Sequence, residues 1–328
     1  MHTEDLPAAG PQPEQFLGQS TGRLLKRLFH ATRPKFFPAS LLPVLAGTAW
    51  GFMVAGQFEV VVFALALFAT MCVHAGANVL NDVGDDAGGT DRQNEHRIYP
   101  YTGGSRFIQS GILSAGHMAR LGISLLGLAA LAGLLLLLLK GAMILWFGIA
   151  GVMLAVLYSL GPIRLSSLGL GEAAVGIAFG ILPVTGAAWL QSGIISGELV
   201  VFALPISAWV ANILLINEVP DIIADGATGK RTLAVRLGHN GTALLYIVIN
   251  LIAASAAVWL AFSNSLPLLA PVVPLALLVL AFKASRAIRN GVSDRPGMTK
   301  AIESTLGIHT LGSIWLAGTA LYVAFLGA

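Results

Sequence analysis

Apolar residues dominate this chain in runs of about twenty, and short polar stretches separate the runs. That is the length a helix needs to cross the hydrocarbon of a bilayer. Nine segments qualify, roughly 37–56, 59–80, 116–139, 141–160, 169–191, 198–217, 241–262, 266–284 and 305–326. The eighth carries Pro267, Pro271 and Pro274 and is the least regular. The pattern predicts an all-α membrane protein with nine transmembrane helices.

Composition agrees. The chain is 56% hydrophobic and only 11% charged, where a soluble domain carries about 25% charge. No Pro/Ser-rich linker divides the apolar runs, so residues 31–328 read as one polytopic domain. Residues 1–20 are polar, rich in Pro and Gln, and include Glu4, Asp5 and Glu14. They lack the apolar core of a signal peptide, and their acids argue against a transit peptide. A disordered cytoplasmic tail over 1–30 is expected. Cys72 is the lone cysteine, which excludes an intrachain disulfide. A pI near 9.2 would suggest nucleic acid in a soluble protein; here the membrane accounts for it.

Loop charge orients the bundle. With nine spans, 18 of the 19 Lys and Arg residues fall on one side, and only Lys140 falls on the other. The positive-inside rule makes that side cytoplasmic, together with the amino terminus. A cell (inner) membrane location follows.

Two acidic clusters interrupt this pattern on the same side: NDVGDDAGGTD at 81–91 and NEVPDIIAD at 217–225. With Glu95 they hold eight of the sixteen Asp and Glu residues. Each follows the end of an apolar run, four helices apart, which suggests two related four-helix halves and a closing ninth helix. Carboxylates at membrane depth are expensive and need a partner. Asn81 and Asp85 are four residues apart, as are Asn217, Asp221 and Asp225 in succession, so continued helices would align their oxygens. Gly84, Gly88 and Gly89 would let the first segment leave the helix. Carboxylate and amide oxygens without His or Cys suit Mg2+, which is commonly shared between one or two carboxylates and substrate phosphates. Arg92, Arg97, Arg106, Arg164, Lys230 and Arg231 stand near enough in sequence to hold the remaining phosphate oxygens. His74 and His309, in apolar runs, read as packed, hydrogen-bonded residues. Glu172 reads as a helix amino-terminal acid.

These features resemble the UbiA superfamily of intramembrane prenyltransferases, and within it the 1,4-dihydroxy-2-naphthoate polyprenyltransferases of menaquinone synthesis. NDVGDDAGGTD fits the first motif of those enzymes, and GKRTLAVRLG at 229–238 fits the segment after the second. RPKFFPASLLPVLAGTA at 33–49, GGSRFIQSG at 103–111, YSLGPIRLSSLGLGE at 158–172 and GILPVTGAAWLQSG at 180–193 extend the likeness over roughly residues 30–240. The resemblance implies a UbiA-type bundle with a cytoplasm-facing cavity, Mg2+ as cofactor, and a polyprenyl diphosphate and an aromatic acceptor as partners. It implies one metal site at Asn81, Asp85 and Asp91, with Asp82 a lesser candidate, and another at Asp221 and Asp225 assisted by Asn217. Arg106, Lys230 and Arg231 would clamp the diphosphate with Arg97 beside them, and Tyr158 and Arg164 would sit near the allylic carbon and leaving group. Asp85 and Asp221 would be catalytic as well as metal-binding. The chain departs from the pattern at Gly89, where many members carry aspartate, and at Glu218-Val219-Pro220.

Other acceptors stay open, among them 4-hydroxybenzoate, a porphyrin-type ring and a glycerol phosphate lipid. A cation-coupled transporter is the rival from another class, although transport sites usually lie near the membrane midplane. A CDP-alcohol phosphotransferase also uses membrane aspartates, but the residues after Asp225-Gly226 lack its Ala-Arg spacing.

Overall fold

The structure, a computed structural model, describes residues 10–88, 97–159 and 164–326. Among these residues it is helical, with no strand. The helices are α1 (Thr21–Ala31), α2 (Pro38–Ala55), α3 (Val60–Gly88), α4 (Ala115–Lys140) and α5 (Met143–Ser159). Next come α6 (Gly171–Ser192), α7 (Gly197–Asn217), a short α8 (Ile222–Ala227), α9 (Leu233–Phe262), α10 (Val272–Asn290) and α11 (Arg295–Leu326). Ser20, Ser114, Ser196 and Thr232 accept a backbone N–H three residues on, which fixes where α1, α4, α7 and α9 begin. α6 widens into a π-turn at Ile177–Ile181, and α9 bends at Gly238, whose φ of 61° suits only glycine well.

Among the described residues six helices are long and apolar enough to cross a membrane: Pro34–Ala55, Val60–Ala87, Ala115–Lys140, Gly171–Ser192, Gly197–Asn217 and Leu233–Phe262. α5 is apolar but shorter. α10 and α11 stand where the eighth and ninth spans were expected, and they mix apolar runs with Lys283, Arg286 and Arg289 and with Arg295, Lys300 and Glu303. Large apolar side chains such as Leu131, Leu138, Trp146 and Phe262 face outward. That distribution is what a lipid solvent requires.

α3 packs along α4, and α2 lies between the second half of α6 and α11. α11 also packs on α7 and α10, so the closing helix touches both halves of the bundle. Close approach is made by missing side chains. A Cβ on Gly47 would lie 2.1 Å from the Val184 carbonyl oxygen, and one on Gly180 2.3 Å from the Ser207 Cα. Lys140, the one cation expected on the far side, pairs with Glu59 at 2.6 Å, so that end carries little net charge.

The expected tail is different over its described part. Pro13–Gln15 forms a turn, α1 is a full helix, and Phe16 is buried with Ala31, Val79, Phe107, Ile112 and Met118. A single aromatic anchor and the apolar period of α1 order a segment whose overall polarity reads as loose. Residues 1–9 lie outside the described residues.

Gly47→Val forces α2 from α6 and should cost about 1–3 kcal/mol, read as a lower melting temperature in detergent. Gly133→Ala on α4, where an added Cβ meets nothing within 4 Å, should not lower melting and should raise it slightly.

Candidate active site

α3 runs unbroken to Gly88, so the first acidic segment is helical and its side chains divide between two faces. Asn81 Nδ2 donates to Asp85 Oδ2 at 2.7 Å on one face. Asp82 and Asp86 turn to the other, toward the 103–111 loop. Asp82 is 2% exposed, and its Oδ2 accepts the Ser105 N–H at 3.0 Å, while Asp86 Oδ1 accepts from Gln109 Nε2 at 3.1 Å. Asp82 therefore anchors a loop as well as standing beside Asp85. Asp91 and Arg92 lie outside the described residues, as does Gly89.

The anchored loop holds Gly103, Gly104 and Arg106 at positive φ. Arg106 is buried, and its Nε donates to the Gly103 carbonyl at 3.1 Å. The Arg97 side chain packs against Gly103, and its carbonyl accepts from Arg295 Nη2 at 2.7 Å. The loop is thus tied to α3 on one side and to α11 on the other.

The second acidic segment is not one continuous helix. α7 ends at Asn217, residues 218–221 form a turn, and Pro220 lacks the N–H that would continue the ladder. Register returns when the Asp225 N–H donates to the Asp221 carbonyl at 2.8 Å and α8 begins. Asp225 is buried, and Lys230 Nζ lies 3.2 Å from its Oδ2. Burial raises the Asp225 carboxyl above its ordinary range, opposed by Lys230. Burial also pulls Lys230 down, but Asp225, Glu218 and Asp221 outweigh it and hold the ammonium above its usual range. The Arg231 N–H donates to the Ser167 carbonyl at 3.1 Å, bringing the GKRT segment beside the turn after α5. Arg164 begins that turn and is exposed.

The charges of both walls reach Tyr158. Its hydroxyl lies within the fields of Glu218, Glu172, Asp85 and Asp225. Asp85 in turn feels Lys230 and Arg33. Asp85, Tyr158, Asp225 and Lys230 are thus linked electrostatically, Asn81 through its bond to Asp85 and Asp221 through Lys230.

Three residues were given no part in the site by sequence. Arg33 enters the sequence reading only through topology and the RPK run, yet its backbone is αL, its Nη2 donates to the Tyr101 carbonyl at 3.2 Å, and its charge reaches Asp85. Glu172 stands in the first turn of α6 as expected, but it is 3% exposed and faces Glu218 rather than water. Burial and then Glu172 hold the Glu218 carboxyl well above the carboxylate range. An acid opening an apolar run was the available signal for Glu172; an acid at the position that departs from the family pattern was the signal for Glu218. His74 is packed between Phe37 and Phe179 and bonded to Ser40, as expected. His309 is packed, but its Nε2 has no hydrogen-bond partner. A groove of about 520 Å³ between α7 and α9, lined by Val201, Leu204, Val248, Leu251 and Trp259, has no charged residue and belongs to the lipid-facing surface.

A multi-pass helical membrane protein with two acid-bearing segments gathered around one tyrosine defines a class of intramembrane enzyme. Residues 40–301 match the UbiA prenyltransferase family, and the chain belongs to it. It is similar to the 1,4-dihydroxy-2-naphthoate octaprenyltransferase of Haemophilus influenzae, 31% identical over 229 residues that cover 65% of this chain and 70% of the relative. Its fold is that of a UbiA homolog from Aeropyrum pernix K1 in the apo state, with a TM-score of 0.65 and 15% identity over 87% of this chain and 97% of the other. It also matches a UbiA homolog from Archaeoglobus fulgidus bound to GPP and Mg2+, with a TM-score of 0.52 and 15% identity over 80% and 99%.

Asp82→Ala leaves the Ser105 N–H without its acceptor and should cost about 1–3 kcal/mol. Amide hydrogen exchange should speed up at 103–109 while α7 and α9 stay protected. Unchanged exchange in the loop would show that Asp82 is not its anchor.

Proposed function

We propose that the protein carries out Mg2+-dependent transfer of a polyprenyl group from polyprenyl diphosphate to 1,4-dihydroxy-2-naphthoate, in menaquinone biosynthesis. The observation that carries this reading is that acids of both segments act on Tyr158 electrostatically in a chain of the UbiA family. The naphthoate octaprenyltransferase relative supports the acceptor, and the Archaeoglobus homolog with GPP and Mg2+ supports the donor and the cation. Family membership leaves the transporter reading without support.

The donor set fits a hard cation. Asn81, Asp85, Asn217, Asp221 and Asp225 offer only carboxylate and amide oxygens, and Asn217 Oδ1 is buried without a hydrogen-bond partner. Among the described residues no group of three or more His, Cys, Asp or Glu could hold a metal alone. A sparse oxygen set suits Mg2+, which keeps waters and takes further oxygens from phosphate. When bound, Mg2+ would neutralise the charge that grows on a departing diphosphate. Asn81 and Asp85 would hold it on one wall, with Asp91 added from outside the described residues, and Asn217, Asp221 and Asp225 on the other. Asp82 is the lesser ligand, because Ser105 already takes one of its oxygens.

Lys230, Arg231, Arg106 and Arg97 orient the diphosphate, and Arg33 joins them from the start of α2. These cations stabilise the leaving group as the allylic C–O bond breaks and its electron pair departs with diphosphate. Tyr158 lies beside the allylic carbon, where its ring face steadies the cation; Arg164 sits at the leaving-group side. The surrounding apolar helices exclude water from that cation. An electron-rich ring carbon then takes the prenyl chain, and the carboxyl group leaves as carbon dioxide. Residues 31–328 act as one domain crossing the inner membrane nine times, with the amino terminus and the site loops cytoplasmic; the one-sided Lys and Arg distribution supports that orientation.

Purified protein with Mg2+, labelled prenyl diphosphate and a panel of naphthoate, 4-hydroxybenzoate, porphyrin-type and glycerol phosphate acceptors should prenylate the naphthoate. Chelation should abolish transfer, and Mg2+ should restore it. Asp85→Ala and Asp221→Ala should each lower transfer by about 10²–10³-fold with melting unchanged. Folded protein that prenylates no aromatic acceptor would overturn the reading.

A further inference from the structure

α1 has two unlike faces that the site chemistry does not use. Leu24, Leu25, Leu28 and Phe29 form one, with Leu25 61% and Phe29 55% exposed. Arg23, Lys26, Arg27 and His30, at helical spacing, form the other. Arg23 Nη1 donates to the Glu14 and Leu17 carbonyls, and Lys26 Nζ reaches the Gln15 carbonyl and sits 5.2 Å from the Phe16 ring. None of the salt bridges seen among the described residues involves Arg23, Lys26 or Arg27.

Position identifies the occupant. α1 ends at Ala31, and the first apolar span begins at Pro34, so the helix lies where the lipid-facing surface starts. The Phe29 ring meets Phe37 at 6.3 Å, which makes the exposed apolar face continuous with that surface. Phe16 and Ala31 fasten the segment to Val79 of α3 and to Phe107 beside Arg106, at the site end of the bundle. An exposed apolar face joined to lipid-contacting helices, with a row of basic residues opposite, is the make-up of a helix lying in the membrane plane. We propose that α1 is an interfacial helix whose apolar face sinks into the bilayer at the site end and whose cations bind anionic phospholipid headgroups.

The test uses the full chain in nanodiscs, in a Cys72→Ala background, with a small fluorophore on Leu25→Cys, Phe29→Cys or Lys26→Cys. Nitroxide lipids should quench the labels at 25 and 29 several-fold more than aqueous iodide does, and the order should reverse at 26. Unlabelled Cys72→Ala protein should also exchange its 21–31 amides more slowly in nanodiscs containing phosphatidylglycerol than in phosphatidylcholine alone. Arg23→Gln with Arg27→Gln should remove that difference, each cation contributing about fivefold to lipid preference. Equal iodide quenching on both faces would place α1 in water. Protection of 25 and 29 from both quenchers would place protein, such as a second copy, on the face. Exchange indifferent to phosphatidylglycerol would remove the headgroup assignment. Any of these results overturns the proposal.

Discussion

Carboxylates packed at the end of a lipid-soluble bundle stay charged only where cations lie close enough to compensate the lost hydration. The Asp225–Lys230 pair is where that constraint is met most plainly, with the ammonium 3.2 Å from a buried carboxylate. Much of the site geometry follows from meeting it. Pro220 ends α7 early, the turn that follows carries Asp221 and Asp225, and the GKRT segment returns Lys230 to them. Asp85 is reached from the opposite wall by the same lysine and by Arg33. The proposed cation and diphosphate would enter that same balance of acids and cations.

Around that centre the structure uses two kinds of attachment. Apolar contacts and glycine-sized approaches, such as Gly47 on Val184 and Gly180 on Ser207, set how closely helices lie. Polar attachments then fix the loops: Asp82 holds Ser105, Arg295 holds the Arg97 carbonyl, and Ser167 holds Arg231. A loop at the membrane surface has no core of its own. Its position must come from hydrogen bonds to helix ends, which explains why an aspartate within a metal-type motif is spent on a backbone amide.

Much of the architecture was legible in the sequence because the bilayer reads a chain through length and hydropathy, both local properties. The long apolar runs appear as helices near their expected bounds. The first acidic segment stays helical to Gly88, so Gly84 does not release it from the helix as expected, while His74 is packed and bonded as expected. The tail was misread because composition averages over a segment, whereas Phe16 and the apolar stripe of α1 act through individual positions. The spacing of the second segment aligns its oxygens only along a continued helix, and Pro220 interrupts that helix, since a proline can kink or end one.

What the sequence determined by itself was the lipid-soluble helical class, the presence of two acidic segments at helix ends, and their suitability for a hard cation. Each depends on residue type and short spacing. Only the tertiary structure decided that Asp85 and Asp225 both come within electrostatic reach of Tyr158, that Asp82 serves a loop, and that Glu172 lies against Glu218. The pairs that create that geometry are tens to well over a hundred residues apart. Hydropathy carries no information about which helix faces which, so those relations exist only once α3, α5, α6 and α7 are packed.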